Sequence, residues 1–119
     1  MTIATTVLTT LVALEFFYIF YLETLRPHSE TTSRVFNMPE EELNRPSVTS
    51  LFRNQGVYNG LIGIGLIYST YFSPASRELT AVLLIYIIAV ALYGAVTVDK
   101  KIILTQGGLA IIALLTLLI

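Results

Sequence analysis

The stretch Ile3–Leu22, IATTVLTTLVALEFFYIFYL, carries a single acidic or basic residue, Glu15, in 20 residues. At about 1.5 Å rise per residue a helix of that length reaches roughly 30 Å, the thickness of a bilayer core. No Lys or Arg lies within ten residues of Glu15. An ionisable group at such a depth costs on the order of 2.5–3.5 kcal/mol on insertion scales. Chains tolerate that cost where the group faces a protein interior. The stretch therefore predicts a membrane-spanning helix with a buried polar site at Glu15. It lacks a basic leader and a small-residue cleavage pattern, which argues against a cleaved signal peptide.

Outward from this stretch the same pattern recurs. The 119 residues are 55% hydrophobic and 13% charged, against about 25% charged in a soluble domain. The apolar residues come in blocks, and alternating strand patterning is absent. Four transmembrane helices are predicted, at about residues 3–24, 47–72, 79–98 and 102–119, within a single transmembrane domain spanning 1–119. Backbone groups in lipid must bond within their own segment, so each span should be a helix. The expected fold is all-α, a membrane-embedded four-helix up-down-up-down bundle, since the connections at Ser73–Glu78 and Asp99–Lys101 are too short for anything but antiparallel neighbours.

The one substantial loop runs from Leu25 to Pro46. Its Asn37-Met38-Pro39-Glu40-Glu41-Glu42 stretch reads either as the start of a short surface helix or as a solvated charged loop, because Pro and carboxylates suit a first helical turn. His28, in the same loop, reads as solvated. Arg26, Arg34, Arg45, Arg53, Lys100 and Lys101 fall on one side of the four spans and only Arg77 on the other. The positive-inside rule then predicts a multi-pass protein of the cell membrane, with loops one–two and three–four cytoplasmic and both termini outside. Net charge is −1, so no polybasic surface points to nucleic acid. No Cys and one His argue against disulfides and against a metal site. No motif calls for a cofactor.

In this orientation the polar residues cluster in the cytoplasmic half. Glu23, Asn54, Gln55, Tyr58, Asn59, Tyr93 and Gln106 share that layer, Tyr18 lies on the Glu15 face of span one, and Glu15 is deepest. These nine residues are the ligand-binding candidates. A channel would need polar lining through both halves; this arrangement predicts a pocket instead. Gly56, Gly60 and Gly63 form a small-residue stripe that predicts close helix packing, within the bundle or in a homodimer. Each signal also has a structural reading: Glu15 and Glu23 as hydrogen-bonded carboxylates, Asn54, Gln55 and Asn59 as helix glue, the tyrosines as interfacial aromatics. Asn54-Gln55-Gly56 in span two and Thr105-Gln106-Gly107 in span four form an internal echo, as in a duplicated hairpin.

The run Asn54-Gln55-Gly56-Val57-Tyr58-Asn59-Gly60, followed by Gly65-Leu66, resembles a family of small bacterial membrane proteins known as domain of unknown function 1304. Glu15, Tyr18, Tyr21-Leu22-Glu23, Phe36, Tyr93-Gly94-Ala95, Thr97 and Gln106 match it in order. Ala91-Leu92 departs from the pattern where many members carry a Gly before Tyr-Gly-Ala. Gly108 or Leu109 stands where many carry Pro in span four. The resemblance implies a compact bundle of four helices and brings no activity with it.

The favoured functional expectation is a cytoplasm-facing intramembrane pocket for a small amphipathic or lipidic molecule. The runner-up is a membrane-embedded isomerase or epimerase using Glu15 and Glu23 as acid and base. A small-solute transporter and a structural membrane scaffold are the remaining alternatives. The bilayer itself is the expected partner, with a homodimer as a further one.

Overall fold

The computed structural model describes residues 1–119, which form helices and short connections without a strand. The helices are α1 (Ile3–Phe20), continued by a π turn (Tyr21–Leu25), then α2 (Glu30–Phe36), α3 (Glu40–Leu43), α4 (Pro46–Tyr71), α5 (Ser76–Thr97), α6 (Ile102–Thr105) and α7 (Gly108–Leu118). Two stretches, Ile3–Leu25 and Ser76–Thr97, are long and apolar enough to cross a membrane. The chain forms two compact units, Leu14–Gly63 and Met1–Ala13 with Ile64–Ile119, and α1 and α4 contribute residues to both.

In the unit Leu14–Gly63, Pro27 ends the first helix: it has no N–H to donate and keeps Arg26 out of helical geometry, at φ −131° and ψ 49°. The last turn widens, and Arg26 N–H bonds the Tyr21 carbonyl at 3.0 Å. The Leu22 carbonyl is thereby released from its ordinary helical partner. The buried Thr32 hydroxyl lies 3.3 Å from it and donates to the Arg26 carbonyl at 2.7 Å. Thr32 is held in place because Ser29 caps α2, accepting its N–H at 3.1 Å. Asn37 closes α2 in the left-handed conformation (φ 53°), with Met38 N–H bonding the Ser33 carbonyl at 3.0 Å. Asn and Gly are the residues that tolerate that conformation best. Phe36 then meets Phe52 of α4 edge to face, with centroids 5.2 Å apart. The expected alternatives of one short helix or a charged loop are thus replaced by two short helices. α3 begins at the Pro39-Glu40 signal, and α2 lies upstream of it.

In the other unit, α5 packs on α6 and α7 through small residues. Ala91, Ala110 and Ala113 are fully buried, beside Leu66, Leu84, Ile87 and Leu117. Hydroxyl relays join the elements: Thr80 donates to Ser69 at 2.9 Å, and Ser69 donates to the Leu66 carbonyl. Thr5 donates to Thr116, which donates to the Ala113 carbonyl. Such relays satisfy buried hydroxyls inside apolar packing.

The expected fourth span over 102–119 is not one helix. It breaks between α6 and α7 at Gln106-Gly107. Consecutive Gly107 and Gly108 carry the lowest helix propensity short of Pro. At Gly107 a Cβ would lie 2.8 Å from the Ile103 carbonyl oxygen and 3.1 Å from Ala91 Cβ. The break lets α5 come close, and only Gly fits there.

Candidate functional site

The polar centre of the unit Leu14–Gly63 is Glu23, in the π turn, with 0% of its surface exposed. Gln55 Nε2 donates to Glu23 Oε2 at 2.6 Å, and Asn59 Nδ2 donates to Oε1 at 2.7 Å. Gln55 and Asn59 stand one turn apart on α4, so both amides reach across from one face. Gly56 and Gly60 alternate with them. A Cβ at Gly56 would collide with Thr24 Oγ1, and one at Gly60 would lie 3.0 Å from the Phe20 ring. The absent side chains let the α4 backbone rest against the π turn, which brings the amides within reach of the carboxylate. Thr24 fastens the same contact by donating to the Arg53 carbonyl at 3.0 Å. Gly63 is buried as well.

Glu15 lies two turns earlier on α1. It is partly buried, and its Oε1 is enclosed without a hydrogen-bond partner. Neither Tyr58 nor Asn59 hydrogen-bonds Glu15. Tyr58 is 75% exposed and Asn59 gives its amide to Glu23.

The other candidates are dispersed. Tyr18 is half exposed on α1. Asn54 is exposed and donates to the Ser50 carbonyl of its own helix at 2.8 Å. Tyr93 is 73% exposed on α5, and Gln106 sits part-buried at the α6–α7 break, both in the other unit. Gln55-Gly56 lies inside a continuous helix whereas Gln106-Gly107 marks a break, so the internal echo has no structural counterpart. His28, expected to be solvated, is exposed, with Nε2 2.9 Å from Thr49 Oγ1. Thr24 and Thr32 hold the site together, and sequence reasoning missed both. The Ser29-x-x-Thr32 capping pattern is the signal that could have found α2.

Chemically, Glu23 has each oxygen engaged by a neutral amide and no cation beside it; the chain's one ion pair is Arg45–Glu42, at 3.3 Å on the surface. Such a carboxylate orients and is oriented. Glu15 Oε1 is enclosed and has no donor facing it. No three acidic or His side chains gather where they could hold a metal ion.

The fold and this cluster define a small all-α protein with apolar helices and a buried carboxylate clasped by two amides. The chain belongs to the family described as protein of unknown function (DUF1304), whose profile matches residues 10–118. It is 67% identical over 116 residues to "Uncharacterized protein YpaA" of Lactococcus lactis subsp. lactis (strain IL1403), covering 98% of each chain. No solved structure matches.

Proposed function

We propose that the protein is a multi-pass membrane protein that binds a small amphipathic or lipidic molecule through Glu15. Four passes are assigned to α1, α4, α5 and the broken pair α6–α7, up and down, with both termini outside. The Lys and Arg asymmetry supports that orientation. The observation that carries the binding role is the enclosed Glu15 Oε1 without a partner. A buried polar atom left unpaired costs about 1–3 kcal/mol. A ligand donor such as a hydroxyl, amide or ammonium would recover that cost. Glu23 supports the site as an organiser, since both its oxygens are already engaged. That engagement is also why binding is preferred over acid–base chemistry shared by two free carboxylates.

The test compares Glu15→Gln with Glu15→Ala in protein extracted under lipid-retaining conditions. Thermal stability and co-purifying small molecules are scored for each, the latter by mass spectrometry. Both variants should fold, and a ligand present in the wild type should be lost from Glu15→Ala. Loss from Glu15→Gln as well assigns the interaction to charge or proton exchange. Identical small-molecule content in the wild type and both variants defeats the binding role.

A further inference from the structure

We propose that the ligand of Glu15 is an organic monocation that reaches it sideways from the lipid, a class and a route that rest on the reading that Glu15 binds a small molecule within a membrane-spanning α1. The exposed side chains of this helix and its π turn form one row, Ile3, Val7, Leu11, Leu14, Tyr18 and Tyr21, each at least 42% exposed. Their three- and four-residue spacing keeps them on one face. Thr5, Thr9, Val12 and Phe16 are buried on the other. At about 100° per residue, Glu15 falls between the two faces, about 60° round from exposed Tyr18 and about 60° from buried Val12. Its own burial matches that position: the residue is partly buried, Oε1 is enclosed and Oε2 is not. The exposed surface next to Glu15 on its own helix is the apolar row, so the carboxylate is approached from the bilayer.

Two observations select a cation. First, Glu15 makes no ion pair, the chain's one being Arg45–Glu42, and no Lys or Arg lies within ten residues of it. The counter-charge has to come from outside the chain. Second, the two oxygens are unequally placed. A neutral hydroxyl or amide reaches Oε2 and leaves Oε1 unpaired. A cation beside Oε2 acts on the whole carboxylate, the enclosed oxygen included, because Coulomb attraction falls only with distance and is strong in a low-dielectric surround. Tyr18 stands one turn along the same border, half exposed, and its ring supplies a face for an organic cation. Depth narrows the class further. Glu15 lies roughly 18 Å along the helix from Ile3, and half of a hydrocarbon core is about 15 Å. Lipid headgroups stay at the surface, so the ligand is a molecule that enters the core: a compact apolar body carrying one positive charge.

Full-length protein in phosphatidylcholine nanodiscs is titrated with three probes of equal chain length, octyltrimethylammonium, 1-octanol and octyl sulfate. Binding beyond that of empty discs is measured by calorimetry. The ammonium probe carries no N–H or O–H, so it separates charge from hydrogen bonding. It should saturate, with octanol weaker by about tenfold or more and octyl sulfate not saturating. Glu15→Gln should weaken the ammonium by about tenfold or more, and Glu15→Asp should keep part of the binding. Tyr18→Leu should weaken it about two- to fivefold, and Tyr18→Phe, which keeps the ring, should leave it unaltered. Melting profiles show whether each variant folds. If Glu15→Gln does not, the ranking of the three probes on the wild type and the Tyr18 pair decide, since neither touches the carboxyl. Octanol that binds as tightly as the ammonium, and is lost in Glu15→Gln, overturns the cation and leaves the Glu15 reading standing. Ammonium that does not saturate, or binds equally to Glu15→Gln, overturns the site, and the co-purification comparison then decides the wider reading on its own. A dimer in native mass spectrometry that Glu15→Gln dissociates and the ammonium leaves intact also overturns it, because a second copy then covers the row.

Discussion

Two neutral amides hold Glu23, so removing either one leaves a buried carboxylate oxygen without a donor. Asn59→Ala and Gln55→Ala should each lower stability by about 1–3 kcal/mol. Glu23→Ala should make the second truncation much cheaper, because the bond is already gone. Reversible unfolding in detergent, run as a double-mutant cycle, measures this coupling; additive losses would mean that the amides do not act on the carboxylate. The sequence made Glu15 conspicuous because an isolated carboxylate in an apolar run is visible from composition alone. Glu23 was legible as a polar residue and not as the centre of the cluster. Its place depends on a carbonyl changing partners in the preceding turn, and no side-chain pattern records that. Glu15→Gln and Glu15→Ala belong to this scale too, since they separate the role of charge from that of shape at a single atom.

Among the elements, apolar runs and Pro breakers made α1, α4 and α5 readable: α4 runs Pro46–Tyr71 against an expected start at about 47 and end at about 72. Less was readable where a helix depends on a cap or on a neighbour. α2 depends on the Ser29 cap, and the α6–α7 break depends on Gly107-Gly108. The glycines give a paired prediction. Gly56→Ala drives a methyl into Thr24 and the backbone of the π turn, so it should destabilise clearly, with Gly60→Leu worse still against Phe20. At Gly108 an added Cβ would meet nothing within 4 Å, and the residue lies in the first turn of α7. Gly108→Ala should therefore raise stability by about 0.5–1 kcal/mol through helix propensity. Melting profiles of the three variants check this, and a neutral Gly56→Ala would remove the close contact from the account.

For the whole molecule, the sequence carried the helical class, and the two stretches long and apolar enough for a membrane stand in α1 and α5. The proposed orientation is open to direct measurement. In sealed cells, an impermeant thiol reagent should reach Ser76→Cys and should not reach Ser33→Cys; labelling of the second alone would invert the topology. Because the chain contains no Cys, each label reports one position. The interruption at Gln106-Gly107 bears on this arrangement in another way. α7 has 11 residues and so rises roughly 16 Å, about half of a hydrocarbon core near 30 Å. In the proposed topology the last pass covers the bilayer only together with α6 and the bend, where carbonyls released from the ladder call for water or headgroups. Such hydrophobic mismatch is relieved by local thinning of the lipid. The chain would then favour thin regions of the membrane and would dimple a thick one around its C-terminal end.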